Sequence, residues 1–238
     1  MLLVESFHRR VGTSLSPKPE ENETVTTALT LTFPWEEEQA VAEAPSTRPP
    51  AHLSRIVADS TDRVAWIRAR SRGVTATDAA RLTTQRSVEN AAYDKINGNN
   101  FGGNAYTDHG KIREPEIAAW VLRHYGIAPS TTLFHAHGRP LHLATPDGIA
   151  VTAAGDTELA EIKTTNKAWK SIPRHYLRQV WWQQYVLGAE RTLVVWEQHS
   201  AFVPVAAEPE CRWVDRDENE IALLVQLADQ LLTLMQRR

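Results

Sequence analysis

The chain has 238 residues, 42% of them apolar and 23% charged, an ordinary balance for a globular protein of one large or two small domains. No run approaches the roughly 18 apolar residues of a membrane span, and the N-terminus has no signal-peptide pattern. A single cysteine, Cys211, excludes a disulfide framework, a cysteine-rich zinc site and a four-cysteine iron–sulfur cluster.

These features predict a cytoplasmic protein with no membrane partner. The net charge of −3 hides an asymmetry: residues 1–50 hold eight acidic and four basic side chains, and the rest of the chain carries +1. Residues 1–51 are rich in Thr, Pro and Glu without a sustained period of 2 or 3.6. They read as an acidic tail, disordered for want of apolar surface to bury. Within it, 25–33 has the composition of a strand or a docking peptide, and the tail has the charge to cover a DNA-binding cleft as an acidic mimic. Pro49-Pro50 closes it, and 52–238 reads as one domain.

In that domain, 59–72 has helical spacing, with Thr61 as N-cap, Val64, Ile67 and the stem of Arg68 inward, and Gly73 at its end. A short helix over 77–82 carries Asp78 near its start, 91–96 forms another, and 97–104 is a glycine- and asparagine-rich loop. A longer helix spans 108–125, with Gly126 as C-cap. The period then changes. Strands are predicted over 141–145, 148–152 and 158–164, the last two joined by the Ala154-Gly155-Asp156 turn. A helix over 172–187 follows, then a buried strand over 191–197 with a partner in 202–205. An amphipathic helix over 217–236 buries Ile221, Leu224, Val225 and Leu231. This order predicts an α/β fold, a mixed sheet flanked by helices.

Four features carry chemistry. Pro146-Asp147-Gly148 is followed by Glu161-Ile162-Lys163, whose alternation points Glu161 and Lys163 to one face of a strand. The set reads either as a cross-strand ion pair or as hard oxygen ligands for Mg²⁺ or Mn²⁺ with an amine to orient water. Glu114 shares a helical stripe with Ile117, Ala118, Val121, Leu122 and Tyr125, so its carboxylate aims inward and needs a buried base or a metal. Glu116, about 200° round, reads as surface. Gln179 lies on one helix face with Tyr176, Val180, Gln183 and Leu187, as a structural amide or a site contact. The segment 66–78, with Arg68, Arg70, Arg72, Thr75 and Thr77 around a helix start, suits an anion or is a generic basic helix end. Trp181 and Trp182 read as core rather than as a base wedge. His135-x-His137 reads as a surface strand pair, since no third ligand follows.

Taken in order, these motifs resemble the YqaJ-type viral recombinases, the phage lambda-type alkaline exonuclease group of the PD-(D/E)xK nucleases. The likeness runs from Arg70-Ser71-Arg72-Gly73-Val74-Thr75-Ala76-Thr77-Asp78 through Gly110-Lys111-Ile112-Arg113-Glu114, Thr145-Pro146-Asp147-Gly148, Glu161-Ile162-Lys163 and Tyr176-Leu177-Arg178-Gln179. It ends at Trp213-Val214-Asp215-Arg216-Asp217.

The resemblance implies a restriction-endonuclease-like core and hydrolysis of linear duplex DNA from its 5′ end. It implies Mg²⁺ (or Mn²⁺), two ions per site, held by Glu114, Asp147, Glu161 and the Ile162 carbonyl. Lys163 would activate water, Gln179 would support the site, and Arg70, Thr77 and Thr145 would hold the 5′-phosphate. Implied partners are double-stranded DNA ends, a single-strand annealing protein and two further copies in a trimer. Thr77 and Thr145 stand where the family commonly has Ser, and the acidic tail is not a family feature. A restriction- or RecB-like endonuclease and an inert DNA-end-binding protein are the competing readings.

Overall fold

The computed structural model describes residues 50–98 and 105–237. The predicted tail up to residue 49, its 25–33 segment and most of the 97–104 loop lie outside the described residues. A 3-10 turn at Ala51–Arg55 leads into β1 (Ile56–Asp59), so this stretch opens with a strand and not a helix. The cap of helix α1 (Arg63–Arg72) falls one residue later than expected, because the Asp62 carboxylate, not Thr61, accepts the Ala65 N–H. Its predicted inward face is not buried: Val64 is 66% and Ile67 48% exposed, and Arg68 is exposed. The half-buried residues are Ala65, Trp66, Ala69 and Arg70, so the helix lies down on the Trp66–Arg70 side, one turn apart.

Helix α2 (Ala76–Arg81) is set by a capping box between Thr75 and Asp78, and α3 (Gln85–Asn97) by one between Thr84 and Ser87. Helix α4 (Ala105–Tyr125) begins three residues earlier than its periodicity predicts and carries Pro115 within it. There follow β2 (Ala128–Pro129), β3 (Thr132–Ala136), β4 (Arg139–Ala144), β5 (Gly148–Val151) and β6 (Thr157–Thr165). Helix α5 (Arg174–Leu187) crosses to β7 (Ala189–Ser200), which turns into β8 (Val203–Pro204) and is flanked by β9 (Glu210–Asp215). Helix α6 (Glu218–Gln236) starts where the Asp217 carboxylate caps two N–H groups.

The strands form two sheets. The larger runs β2-β5-β6-β7-β8 with β9 also on β7, and the smaller β1-β3-β4. The strand predicted over 141–145 pairs with β3 and not with β5, because the Thr145-Pro146-Asp147 corner sends the chain into a different sheet. Among the strands of the described residues, only β6 and β7 pair in parallel, the connection that a crossover helix such as α5 supplies. Gly73 lets the two layers meet: a Cβ there would stand 2.6 Å from the Leu141 carbonyl and 2.5 Å from Leu143 Cδ1. Relieved of that clash, Val74 exchanges backbone hydrogen bonds with Leu141 and Leu143 and lays the start of α2 beside β4.

The two faces of the large sheet are covered by different helices. On one, Ile117, Ala118 and Val121 of α4 pack on Ala160, Ile162, Leu193 and Val195. Leu122 and Tyr125, expected on that stripe, remain 45% and 37% exposed, because only the middle of α4 meets the sheet. On the other face lies α5, with Trp181 and Trp182 buried as expected and their indole N–H groups donated to Asp215 O and Leu143 O. The C-terminal turn of α5 is held by cations: Arg55 donates to the Val186 and Leu187 carbonyls and Arg216 to that of Gln184. His135 sits half-buried in β3 and His137 in the turn after it, so the two are not a strand pair.

Candidate active site at the free edge of β6

The site grows from one backbone event. Gly148 is the last residue of β5 to pair with β6, opposite Ala160, and the Asp147 N–H still donates to the Ala160 carbonyl. Beyond it the edge of β6 is free, and the Ile162 N–H that would bond the next strand residue donates to Asp147 Oδ2 at 2.7 Å. A strand residue in this position directs its C=O to the same edge as its N–H, so the Ile162 carbonyl stands beside the Asp147 carboxylate. Gly148 permits the tight corner, since a Cβ there would press on Ile127, Ala160 and the Ala128 carbonyl at 3.0–3.2 Å.

Alternation along β6 then sends Glu161 and Lys163 to the α5 face. Glu161 is 1% exposed. Its Oε1 accepts from Lys163 Nζ and Gln179 Nε2, and its Oε2 from Gln183 Nε2 at 2.6 Å. Glu114 approaches from α4, on the opposite face. The site is therefore assembled around the edge of β6, with carboxylates from both sides of the sheet, rather than on one face of it.

The electrostatics record this convergence. The Asp147 carboxyl is pushed well above the ordinary carboxylate range by burial and by the negative charges of Glu161 and Glu114, against the pull of Lys163 and the Ile162 N–H. Glu114 is raised too, by burial first and then Glu161, with Lys163 opposing. Burial works against the Lys163 ammonium, but Glu161 and Asp147 outweigh it and raise its pKa. Lys163 pairs directly with Glu161, and its charge also favours the ionised forms of Asp147 and Glu114.

One ammonium among three acids leaves an excess of negative potential, and the donors are hard oxygens, so the residue set suits a divalent cation of the Mg²⁺ class. Among the described residues, no three His, Cys, Asp or Glu side chains are already gathered closely enough to hold one.

Gln183 belongs to this site, and sequence reasoning missed its role. It appeared on the face of Gln179, exactly one helical turn on at i+4, and that spacing was the available signal. Fully buried, it leaves Glu161 no free rotation. Gln183→Met keeps the volume and removes the donor. Loss of such a partner should cost about 10–100-fold in the activity proposed below, measured as steady-state rates at saturating metal, and, because buried Glu161 Oε2 loses this donor, should also lower the melting temperature.

A second group lies on α1 and α2. Arg70 and Thr77 line one cleft with Trp66, Thr75, Asp78 and Lys95. The Arg70 guanidinium lies 4.3 Å from the Trp66 ring centroid, and burial lowers its pKa while Asp78 opposes the shift. Two parts of the anion expectation need correction. The helix start is closed by its own capping box, since Asp78 Oδ2 accepts the Thr75 N–H and hydroxyl, and an acid therefore stands in the cleft. Lys95, unremarked in the sequence, restores the positive balance by pairing with Asp78 at 2.8 Å. Thr145 is not among the residues lining the cleft; its buried hydroxyl has no hydrogen-bond partner, two residues from Asp147.

A mixed sheet flanked by helices, with an Asp at one strand corner and Glu-x-Lys on the next strand, is the restriction-endonuclease-like architecture. Residues 65–190 match the model of the YqaJ-like viral recombinase domain, and the chain belongs to that family. The crystal structure of an alkaline exonuclease from Laribacter hongkongensis is similar to this one, with a TM-score of 0.58 and 23% identity over 72% of this chain and 92% of the other. The same exonuclease in complex with dAMP gives 0.57 and 21% over the same shares. No protein of curated function matches the sequence. Among the described residues no helix is long and apolar enough to cross a membrane.

Proposed function

We propose that the protein is a metal-dependent exonuclease that hydrolyses linear duplex DNA from its 5′ end, in phage-type recombination or DNA end processing. The observation that carries this reading is the convergence of Asp147, Glu161, Glu114 and Lys163 on the free edge of β6. An inert DNA-binding protein has no use for three acids acting on one lysine where a phosphate would otherwise be repelled. Its membership of the YqaJ-like family and its likeness in fold to an alkaline exonuclease support the same conclusion.

In this reading Glu114, Asp147, Glu161 and the Ile162 carbonyl hold two Mg²⁺ ions, and Mn²⁺ substitutes. The ions supply Lewis acidity at the scissile phosphate and a more acidic attacking water. Lys163, whose ammonium donates to Glu161, would orient that water by donating a hydrogen bond to it. Gln179 and Gln183 keep Glu161 in place. Arg70 and Thr77 receive the terminal 5′-phosphate with Lys95 beside them, and a part for the Thr145 hydroxyl, which lies outside their cleft, is proposed on the family resemblance alone. A ring of three copies and hand-over of the single strand to an annealing protein are proposed on the family resemblance alone.

End-labelled linear duplexes, with and without a 5′-phosphate, beside a closed circle in Mg²⁺ and in excess EDTA, test the proposal. Linear DNA with the phosphate should be degraded fastest, and nothing should be degraded in EDTA. A charge-assisted hydrogen bond is worth about 1.5–3 kcal/mol, or roughly ten- to a hundredfold in rate. Arg70→Ala should slow the phosphorylated duplex by that factor and bring it level with the 5′-hydroxyl duplex. Equal rates on circles and linear DNA would make the protein an endonuclease, and equal rates on the two ends in wild type would remove the phosphate pocket.

A further inference from the structure

Where β6 and β7 run past the catalytic edge, they carry a second cluster that the proposed reaction does not use. Trp196 is the register partner of Lys163, and Gln198 that of Thr165. His199 therefore lies three residues beyond the lysine row, about 10 Å at a strand rise of about 3.3 Å per residue. There the β7–β8 hairpin turns through Ala201 and Phe202, closed by Ser200↔Val203 and His199↔Pro204.

Both turn residues are left-handed, with φ of 48° at Ala201 and 67° at Phe202. Two-residue hairpins of this kind favour Asn-Gly, because a side chain at positive φ is strained. A bulky aromatic in the second position keeps a cost that a glycine would remove, and such outliers gather at functional sites.

What the strained turn presents is an aromatic surface. Phe202 stacks on His199, with ring centroids 5.5 Å apart and planes at 16°, and lies 5.3 Å from both Tyr106 and His109 of α4. The stack stays open to solvent: Phe202 is 43% and Tyr106 52% exposed. It borders a cleft of about 310 Å³ lined by Tyr106, Asn166, Gln198, His199 and residues 200–202. Asn166, Gln198 and Ser200 put amide and hydroxyl groups on its rim, and exposed Lys167 and Lys170 follow in the same loop. Helix α4, which bears Tyr106 and His109, also bears Glu114 two turns further on.

An apolar docking groove would lack the polar rim and the cations, and a simple phosphate track would have no need of the rings. We propose that Phe202 and Tyr106 form a stacking platform for a nucleobase unpaired from the DNA end, one or two nucleotides from the bond being cut. This rests on the reading of the protein as a DNA nuclease and adds where the substrate strand runs.

The test exploits the strained turn. Phe202→Gly removes the ring and relieves the left-handed residue, so the variant should melt at or above the wild-type temperature. Affinity for a fluorescein-labelled thymidine octamer and for an octamer of the same backbone carrying abasic sites is measured by anisotropy in EDTA, where hydrolysis stops. Wild type should bind the base-bearing octamer about five- to tenfold more tightly. Phe202→Gly and Tyr106→Ala should lose most of that preference without changing affinity for the abasic strand, and Phe202→Tyr should restore it. Absence of a preference in wild type overturns the platform, as does equal weakening of both strands or wild-type binding by Phe202→Gly. The nuclease reading fails separately: a wild type that binds with base preference but hydrolyses no DNA loses the enzyme and keeps the platform.

Discussion

Lys163→Ala ends the hydrolysis of linear duplex DNA, lowering the rate by about 10²–10⁴-fold, while affinity for the duplex stays near wild type. The amine sits on the Glu161 carboxylate and feels the Asp147 and Glu114 charges, so the proposed mechanism has it act at the reacting centre and not along a DNA groove. Gln179 and Gln183 still donate to Glu161 in the variant, which keeps the buried acid solvated and the helix docked. Single-turnover digestion measures the rate, filter binding in EDTA the affinity, and thermal unfolding confirms the fold. A wild-type rate would remove Lys163 from the mechanism. Parallel loss of rate and affinity would make it a DNA contact instead.

Glu114→Ala loses activity by orders of magnitude, and Glu116→Ala is nearly silent. The two acids are two residues apart on α4, yet their surroundings are opposite. Glu114 is partly buried and coupled to Lys163 and Glu161. The Glu116 side chain is 67% exposed and pairs with Arg113, whose guanidinium is already held by both oxygens of Glu197. An exposed pair of this kind is worth about 0–1 kcal/mol, too little to change the rate. Metal titrations of activity discriminate further, because Glu114→Ala should need higher Mg²⁺ for whatever rate remains. If Glu116→Ala were the damaging change, α4 would be turned by about half a revolution and the site would lose its third acid.

The placement of the charged side chains was legible because its signals are local. Alternation in Glu161-Ile162-Lys163 separates the two charged residues from Ile162, and the stripe through Glu114, Ile117, Ala118 and Val121 separates Glu114 from Glu116. Both faces stand where those patterns put them, with Ile162 against α4 and Glu161 against α5. The helix starts at Asp217 and Gly188 at the end of α5 follow capping rules that need only four neighbouring residues. Local patterns failed where burial comes from another part of the chain. Val64 and Ile67 have the spacing of a core face, but among the described residues both stay largely exposed. Gln183 looks like any interior amide until Glu161 is found against it.

By itself, then, the sequence determined which residues carry charge toward the interior, where most helices and strands fall, and the order of motifs that resembles the YqaJ-like family. These depend on periodicity, capping and turn chemistry, all settled within a few residues. The tertiary structure alone decided that β4 leaves the main sheet and that Asp147 takes the Ile162 N–H at a free strand edge. It also decided that acids from opposite faces feel the charge of Lys163, and that Lys95 enters the Arg70 cleft. Each of these joins residues from separate elements, and their energies exist only once packing excludes water and makes the charges feel one another.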